Sequence, residues 1–156
     1  MSVEKLETLL SEIGPLVDSI QAIEKVAEAT WNIEIEPELT ITVEWMEDTS
    51  RLVFSSELAA VEEGTREVVL ERMLNYNVLW TATDRATLAM LPLSNTAVLV
   101  ADTWSEGLAK QDLAAFLEHF AGQAFIWRLT FEAGALDDDV ELGGNASTAM
   151  TPGIRV

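Results

Sequence analysis

The sequence predicts an α+β fold, an antiparallel sheet with helices interleaved in the order α-βββ-α-ββ-α. Apolar residues recur at helical spacing near both ends of the chain and once in the middle. Between these segments apolar and polar residues alternate, and short polar connections separate the alternating runs. Short connections favour antiparallel pairing, and strands grouped in this way with helices between them are typical of an α+β sandwich rather than a parallel sheet.

The first predicted helix covers Val3 to Ile13, with Ser2 as a suitable N-cap. Its apolar stripe recurs at spacings of three and four and consists of Leu6, Leu9, Leu10 and Ile13. Gly14-Pro15 interrupts this helix, because proline lacks the backbone N–H that a helix interior requires. Proline suits the first turn of a further helix, and we expect one after Pro15. The buried stripe of this second helix would be Leu16, Ile20, Ile23 and Ala27.

Three strands are predicted next. Apolar residues alternate with polar ones from Trp31 to Ile35 and again, most regularly, from Leu39 to Trp45. A polar turn at residues 47–50 leads to a third strand at Leu52 to Phe54, and residues 57–64 are predicted to be a polar connection.

The second half of the chain begins with a helix capped by Thr65 and ending near Asn77 or Leu79. Two strands follow, at about residues 86–91 and 96–104, and then a long helix from Lys110 to about Phe131. We expect residues 1–133 to form a single α+β domain. Residues 134–156 have no apolar period and are predicted to be an acidic, glycine-containing tail.

Charge and composition exclude several classes of function. The chain has 156 residues, 49% of them hydrophobic, and a net charge of -18. Residues 1–64 hold 15 acidic and 3 basic residues. Nucleic acids and anionic membranes attract cationic surfaces, so neither is an expected partner. There is no cysteine, no apolar run of about 20 residues and no signal-peptide pattern, and we expect a cytoplasmic protein.

No catalytic or cofactor motif is present, and we expect neither an enzyme nor a bound cofactor or metal. The single histidine, His119, lies off the apolar stripe of the last helix and is interpreted as an inert surface residue. Asp137, Asp139 and Glu141 imitate the start of a calcium loop, but Leu142 stands where that loop needs glycine. These acids are interpreted as part of a solvated tail.

The central helix has a wider apolar face than a surface helix needs. On a helical wheel this face spans about 160°, whereas a surface stripe usually spans about 100°. One interpretation is burial within the domain. The other is self-association, with a dimer interface formed by Val69, Leu70, Met73, Leu74 and Tyr76.

Over residues 3–133 the chain resembles the type III secretion chaperone family of the CesT/Tir type. The stretch REVVLERMLNYNVL at residues 66–79 is similar to the family's leucine-rich central helix, and TDRATLAM at residues 83–90 to the strand that follows it. Residues 96–104 resemble the next strand, and residues 113–127 the closing helix with its late tryptophan. Residues 15–29, by contrast, look like an insertion, and the tail is longer than the family needs.

The resemblance implies a homodimer that binds an extended N-terminal segment of a secreted effector and keeps it competent for secretion, without catalysis. The family's dimer contact involves the central helix, and its client surface involves the first helix and the sheet. The expected client-binding residues are therefore Leu6, Leu10, Ile13, Ile33, Ile35, Val43 and Trp45. Each of them has an equally good interpretation as a core residue. The alternatives are a YbjN-like or regulator-sequestering domain of the same fold and, more distantly, an uncharacterised enzyme.

Overall fold

A computed structural model describes residues 1–79, 83 and 85–134 of the chain. The described part contains three α-helices, which are α1 (Val3–Ile13), α2 (Arg66–Val78) and α3 (Lys110–Glu132). It also contains six strands, which are β1 (Ile20–Ala27), β2 (Thr30–Ile35), β3 (Leu39–Met46), β4 (Arg51–Ala60), β5 (Thr87–Leu91) and β6 (Thr96–Trp104). Short 3₁₀ helices lie at Gly14–Leu16 and Glu47–Thr49. Apart from Gly134, the predicted tail lies outside the described residues.

The six strands form one antiparallel sheet in the order β1-β2-β3-β4-β6-β5. Hairpins join β1 to β4 in sequence, and the chain then passes through α2 and β5 before β6 pairs with β4. The predicted α+β fold class is confirmed. The strand order makes β1 and β5 the two edges of the sheet.

One face of the sheet forms the core beneath α1 and α3. In β3 the inward side chains Ile41 and Val43 are fully buried, whereas Thr40 and Glu44 on the other face are exposed. The central contact is made by Phe54 on β4, whose ring centroid lies 4.7 Å from that of Phe116 on α3. Within the described residues no helix covers Thr40 and Glu44 on the opposite face of the sheet, so these polar residues of the alternation remain in solvent.

The predicted second helix is wrong. Residues 20–27 form β1, which pairs with β2 from Ile20 opposite Ile35 to Ala27 opposite Thr30. Ile20 and Ile23 match helical spacing, but both sides of this edge strand are largely exposed, so it lacks the alternation that identified the other strands. Its backbone pairing with β2 decides the conformation.

The third predicted strand is longer than expected. It continues as β4 to Ala60, into the segment predicted to be a connection, and an irregularity between Glu57 and Ala59 interrupts its pairing with β6. At the helix starts, Ser2 caps α1 as predicted, since its hydroxyl accepts a hydrogen bond from the Lys5 N–H at 3.3 Å. Thr65 makes no such cap, because its hydroxyl donates to the Glu62 carbonyl at 3.3 Å.

Candidate functional site

The seven residues expected to bind a client all lie in the core. Their side chains are between 0% and 7% exposed: Leu6, Leu10, Ile13, Ile33, Ile35, Val43 and Trp45. The physical reason is that α1 places its apolar stripe on the inward face of the sheet, so each set of residues covers the other. As buried side chains they do not form an accessible client surface, apart from Leu10 at the base of the groove described next, and that part of the expectation is corrected.

A groove lies directly outside this core, between α1 and β1. It has a volume of about 330 Å³ and is lined by Glu7, Leu10, Ser11, Ile23, Lys25 and Trp31. Leu10 and Trp31 are buried and form its apolar base, while Ile23 is half-buried and reachable from solvent. The groove therefore offers an apolar contact beside the edge of the sheet. Sequence reasoning missed Ile23 as a site residue because it was assigned to a helix.

Lys25 spans the groove. Its ammonium Nζ lies 3.2 Å from the Glu7 carboxylate Oε1 and 5.6 Å from the centre of the Trp31 ring. Both charged side chains are more than one-third exposed, and ion pairs of this kind contribute only about 0–1 kcal/mol. A segment entering the groove could therefore displace this pair at small cost.

The outer edge of β1 runs alongside the groove. Within the described part of the chain, the backbone hydrogen bonds of β1 go to β2 and, through the Ile20 N–H, to the Val17 carbonyl. The N–H and C=O groups that point away from β2 are thus open to an added strand. Together, the open edge and the groove form what we call the α1–β1 site.

Acidic residues surround the α1–β1 site, including Glu4, Glu24 and Glu28, whose side chains are exposed. The pKa of the Glu4 carboxyl is lowered by hydrogen bonds. The larger effect comes from its own backbone and the smaller one from the Ser2 side chain. Glu4 is therefore ionised at neutral pH. The nearby cation Lys25 is already paired with Glu7. The electrostatic field at this site is negative, which favours cationic side chains in a bound segment.

The residues expected at a dimer interface differ in their exposure to solvent. Val69 and Met73 are buried, Leu70 and Tyr76 are half-buried, and Leu74 is 65% exposed. The inner residues pack on this chain's own core. The outer ones continue into Val78, which is 75% exposed and four residues beyond Leu74. Leu70, Leu74 and Val78 repeat every fourth residue and lie along one line of the helix, which we call the α2 ridge.

Tyr76 connects α2 to α3. Its ring meets that of Trp127 edge to face, with centroids 5.1 Å apart, and its hydroxyl donates to the Gln123 Oε1 at 3.2 Å. The Gln123 amide Nε2 in turn donates to the Thr83 carbonyl at 3.3 Å and lies 2.8 Å from Nε2 of His119. His119 is exposed and takes part in this network, which links α2 to α3.

Within the described residues, no group of three or more His, Asp or Glu side chains could hold a metal ion. Asp137, Asp139 and Glu141 lie outside those residues. Of the helices that the structure describes, none is both long and apolar enough to cross a membrane.

The described residues form a small α+β fold in which an edge strand lies beside an apolar groove. The particular family follows from sequence: residues 8–128 match the Tir chaperone protein (CesT) family, and the chain belongs to this family. Among curated proteins, none matches the sequence significantly.

Three solved structures of complexes contain chains of similar fold. The chain is similar to a chain of the ExsC-ExsE complex, with a TM-score of 0.66 and 16% identity over 81% of this chain and 93% of that one. It is also similar to a chain of the HopA1-SchA chaperone-effector complex, with a TM-score of 0.61 and 18% identity over 80% and 93%. A chain from the structure of the Yersinia pestis type III secretion chaperone SycH in complex with a fragment of YscM2 is also similar. Its TM-score is 0.59, with 15% identity over 77% of this chain and 97% of that one. At these identities the likeness establishes the shared fold.

Tyr76 provides a direct optical test of the α2–α3 contact, since it is the only tyrosine in the chain. Burial raises the pKa of its phenol above the usual value of 10.0. An absorbance titration should therefore place tyrosinate formation at higher pH in the native protein than in urea. Because the folded state holds the proton more tightly, stability should fall as pH rises through the window above 10. Equal midpoints in native and unfolded protein would contradict the contact.

Proposed function

We propose that this protein is a dimeric chaperone of type III secretion, which binds an extended N-terminal segment of an effector and keeps it competent for secretion. The observation that carries the proposal is the α1–β1 site, an open strand edge beside an apolar groove, in a chain of the CesT family. The HopA1-SchA structure is described as a chaperone-effector complex, and its fold is shared here.

The client segment adds to β1 as a further strand. Its backbone pairs with the outward N–H and C=O groups of β1, which supplies affinity with little dependence on sequence. Alternate side chains of an added strand point to the same face, so apolar ones reach Ile23 and the base of the groove formed by Leu10 and Trp31. Entry displaces the Lys25–Glu7 pair that spans the groove.

The acidic surface serves two purposes in this proposal. Negative charge keeps a protein that exposes an apolar groove and the α2 ridge soluble. It also attracts a client segment whose polar positions are basic, which speeds association at low ionic strength. We infer that the protein acts in the cytoplasm, where a client is held before its export.

The α2 ridge is the proposed homodimer contact. Leu74 and Val78 are large apolar side chains that remain mostly exposed on a helix whose opposite side is already packed in the core. A twofold dimer would bring the same ridge of each protomer together, so that each copy covers the apolar surface of the other. The proposed activity is binding alone, without catalysis or cofactor. A folded regulator is the alternative partner.

Ile23→Asp tests client binding at the α1–β1 site. Burying an isoleucine contributes about 1.5–3 kcal/mol, so a charge at this position should weaken client retention by about tenfold or more. Tagged full-length protein would be used to capture partners from the native host, with mass spectrometry to quantify them. Val26→Asp, on the same strand but outside the groove and 51% exposed, is the matched control.

The supporting result is one protein that is retained by the wild type and Val26→Asp, is lost with Ile23→Asp, and is protected from protease only in its N-terminal segment. A captured partner that is protected throughout its length would indicate the folded regulator instead. Equal retention by the two variants would show that the α1–β1 site does not bind the client.

Leu74→Glu tests the dimer. Placing a carboxylate in the centre of the α2 ridge should weaken self-association by about 2 kcal/mol or more, so the protein should change from dimer to monomer in light scattering. Leu93→Glu is the control, because Leu93 is 101% exposed in the turn between β5 and β6. A wild-type protein that is monomeric at all concentrations would contradict the dimer.

A further inference from the structure

The two edges of the sheet differ in how their backbone groups are satisfied. At β5, Leu88 stands opposite Leu99 of β6. Its N–H donates to the Asn77 Oδ1 at 2.8 Å, and its carbonyl accepts from the Asn77 Nδ2 at 3.0 Å. One side-chain amide therefore exchanges with Leu88 the same two hydrogen bonds that a residue of a neighbouring antiparallel strand would exchange.

The preceding outward position of the edge is closed in a similar way. Ala86 lies two residues before Leu88, so its backbone N–H and C=O face the same outer edge as those of Leu88. Its N–H donates to the Thr83 carbonyl at 2.9 Å, and its carbonyl accepts from the Thr83 hydroxyl at 3.1 Å. Two successive positions are thus occupied, and Met90 is the remaining outward residue of this five-residue strand. One position is too few for a ladder.

We propose that Asn77, with Thr83, blocks strand pairing at the β5 edge and leaves β1 as the edge at which an added strand can pair. The excluded partner is the β5 strand of a second copy of this chain. Since α2 packs beside β5, a second copy seated on the α2 ridge comes close to the same edge. An open β5 could then pair with its counterpart, and such pairing is the usual hazard of an unprotected edge.

The position of Asn77 on α2 supports this role. It lies on the helix between Met73, which is buried, and Leu74 and Val78, which are exposed. Asn77 is therefore both a contact between α2 and the sheet and the group that separates the α2 ridge from the strand edge. The inference uses the proposed function only in the role it gives to β1, because closure of β5 needs no client.

Asn77→Ala in the full chain tests the inference. Amide hydrogen exchange followed by NMR should show the Leu88 N–H exchanging about tenfold faster or more, because the variant removes its acceptor. Sedimentation velocity should show larger species that grow with concentration, beyond those formed by the wild type. Asn75→Ala is the matched control, since Asn75 is an exposed amide on the same helix, whereas the two hydrogen bonds of Leu88 go to Asn77.

Asn77→Leu keeps the bulk of the side chain but makes neither hydrogen bond, and it replaces the alanine variant if that variant does not fold. The inference is supported if the folded variant shows both faster Leu88 exchange and added association while Asn75→Ala shows neither. Unchanged exchange would overturn the closure, and faster exchange without added association would overturn its role in blocking pairing. Neither measurement involves a client. If the effector-binding test fails, the exchange and sedimentation results can therefore still be interpreted.

Discussion

The contact between β4 and α3 is the interaction on which the rest of the structure depends. Phe54 lies near the middle of the sheet and packs against Phe116 and Phe120, with ring centroids 4.7 and 6.2 Å away. Once α3 is held there, it positions the other helices. It contacts α1 directly, and its Trp127 packs edge to face against Tyr76 of α2. The α1–β1 site and the α2 ridge are both surfaces that this packing leaves uncovered.

Because the helix-facing side of the sheet is occupied by the chain's own core, partner binding has to use edges and outer surfaces. The two edges differ: β1 retains open backbone groups next to an apolar groove, whereas Asn77 and Thr83 occupy those of Leu88 and Ala86 at the β5 edge. Of the acidic residues in the first 64 positions, Glu4 lies on α1, Glu24 on β1 and Glu28 directly after β1, so the open edge carries negative charge. In the proposed function, this asymmetry provides one surface for a client strand and a separate one for a second copy.

The sequence predicts the fold class and most elements. The alternation of apolar and polar residues in β3, and the helical spacing of apolar residues in α1 and α3, both result from burial of one side of the element. It fails at β1, where an exposed edge strand has no alternation and its isoleucines match helical spacing. From the sequence, Ile33 and Val43 could equally be core residues or client contacts. Periodicity indicates that a side chain is covered, but it does not indicate whether the chain itself or a partner covers it. Asn77 carried no signal, because its partner Leu88 lies eleven residues further along the chain.

The central claim is that a client pairs with β1. Amide hydrogen exchange on the full chain, alone and bound to the N-terminal segment of its captured client, tests it most directly. We expect the outward-facing amides of residues 20–27 to become protected in the complex, with slower exchange at the α1–β1 site, while the β5 amides are unchanged. Protection confined to β5 or to the polar face of the sheet, with β1 unaffected, would contradict it.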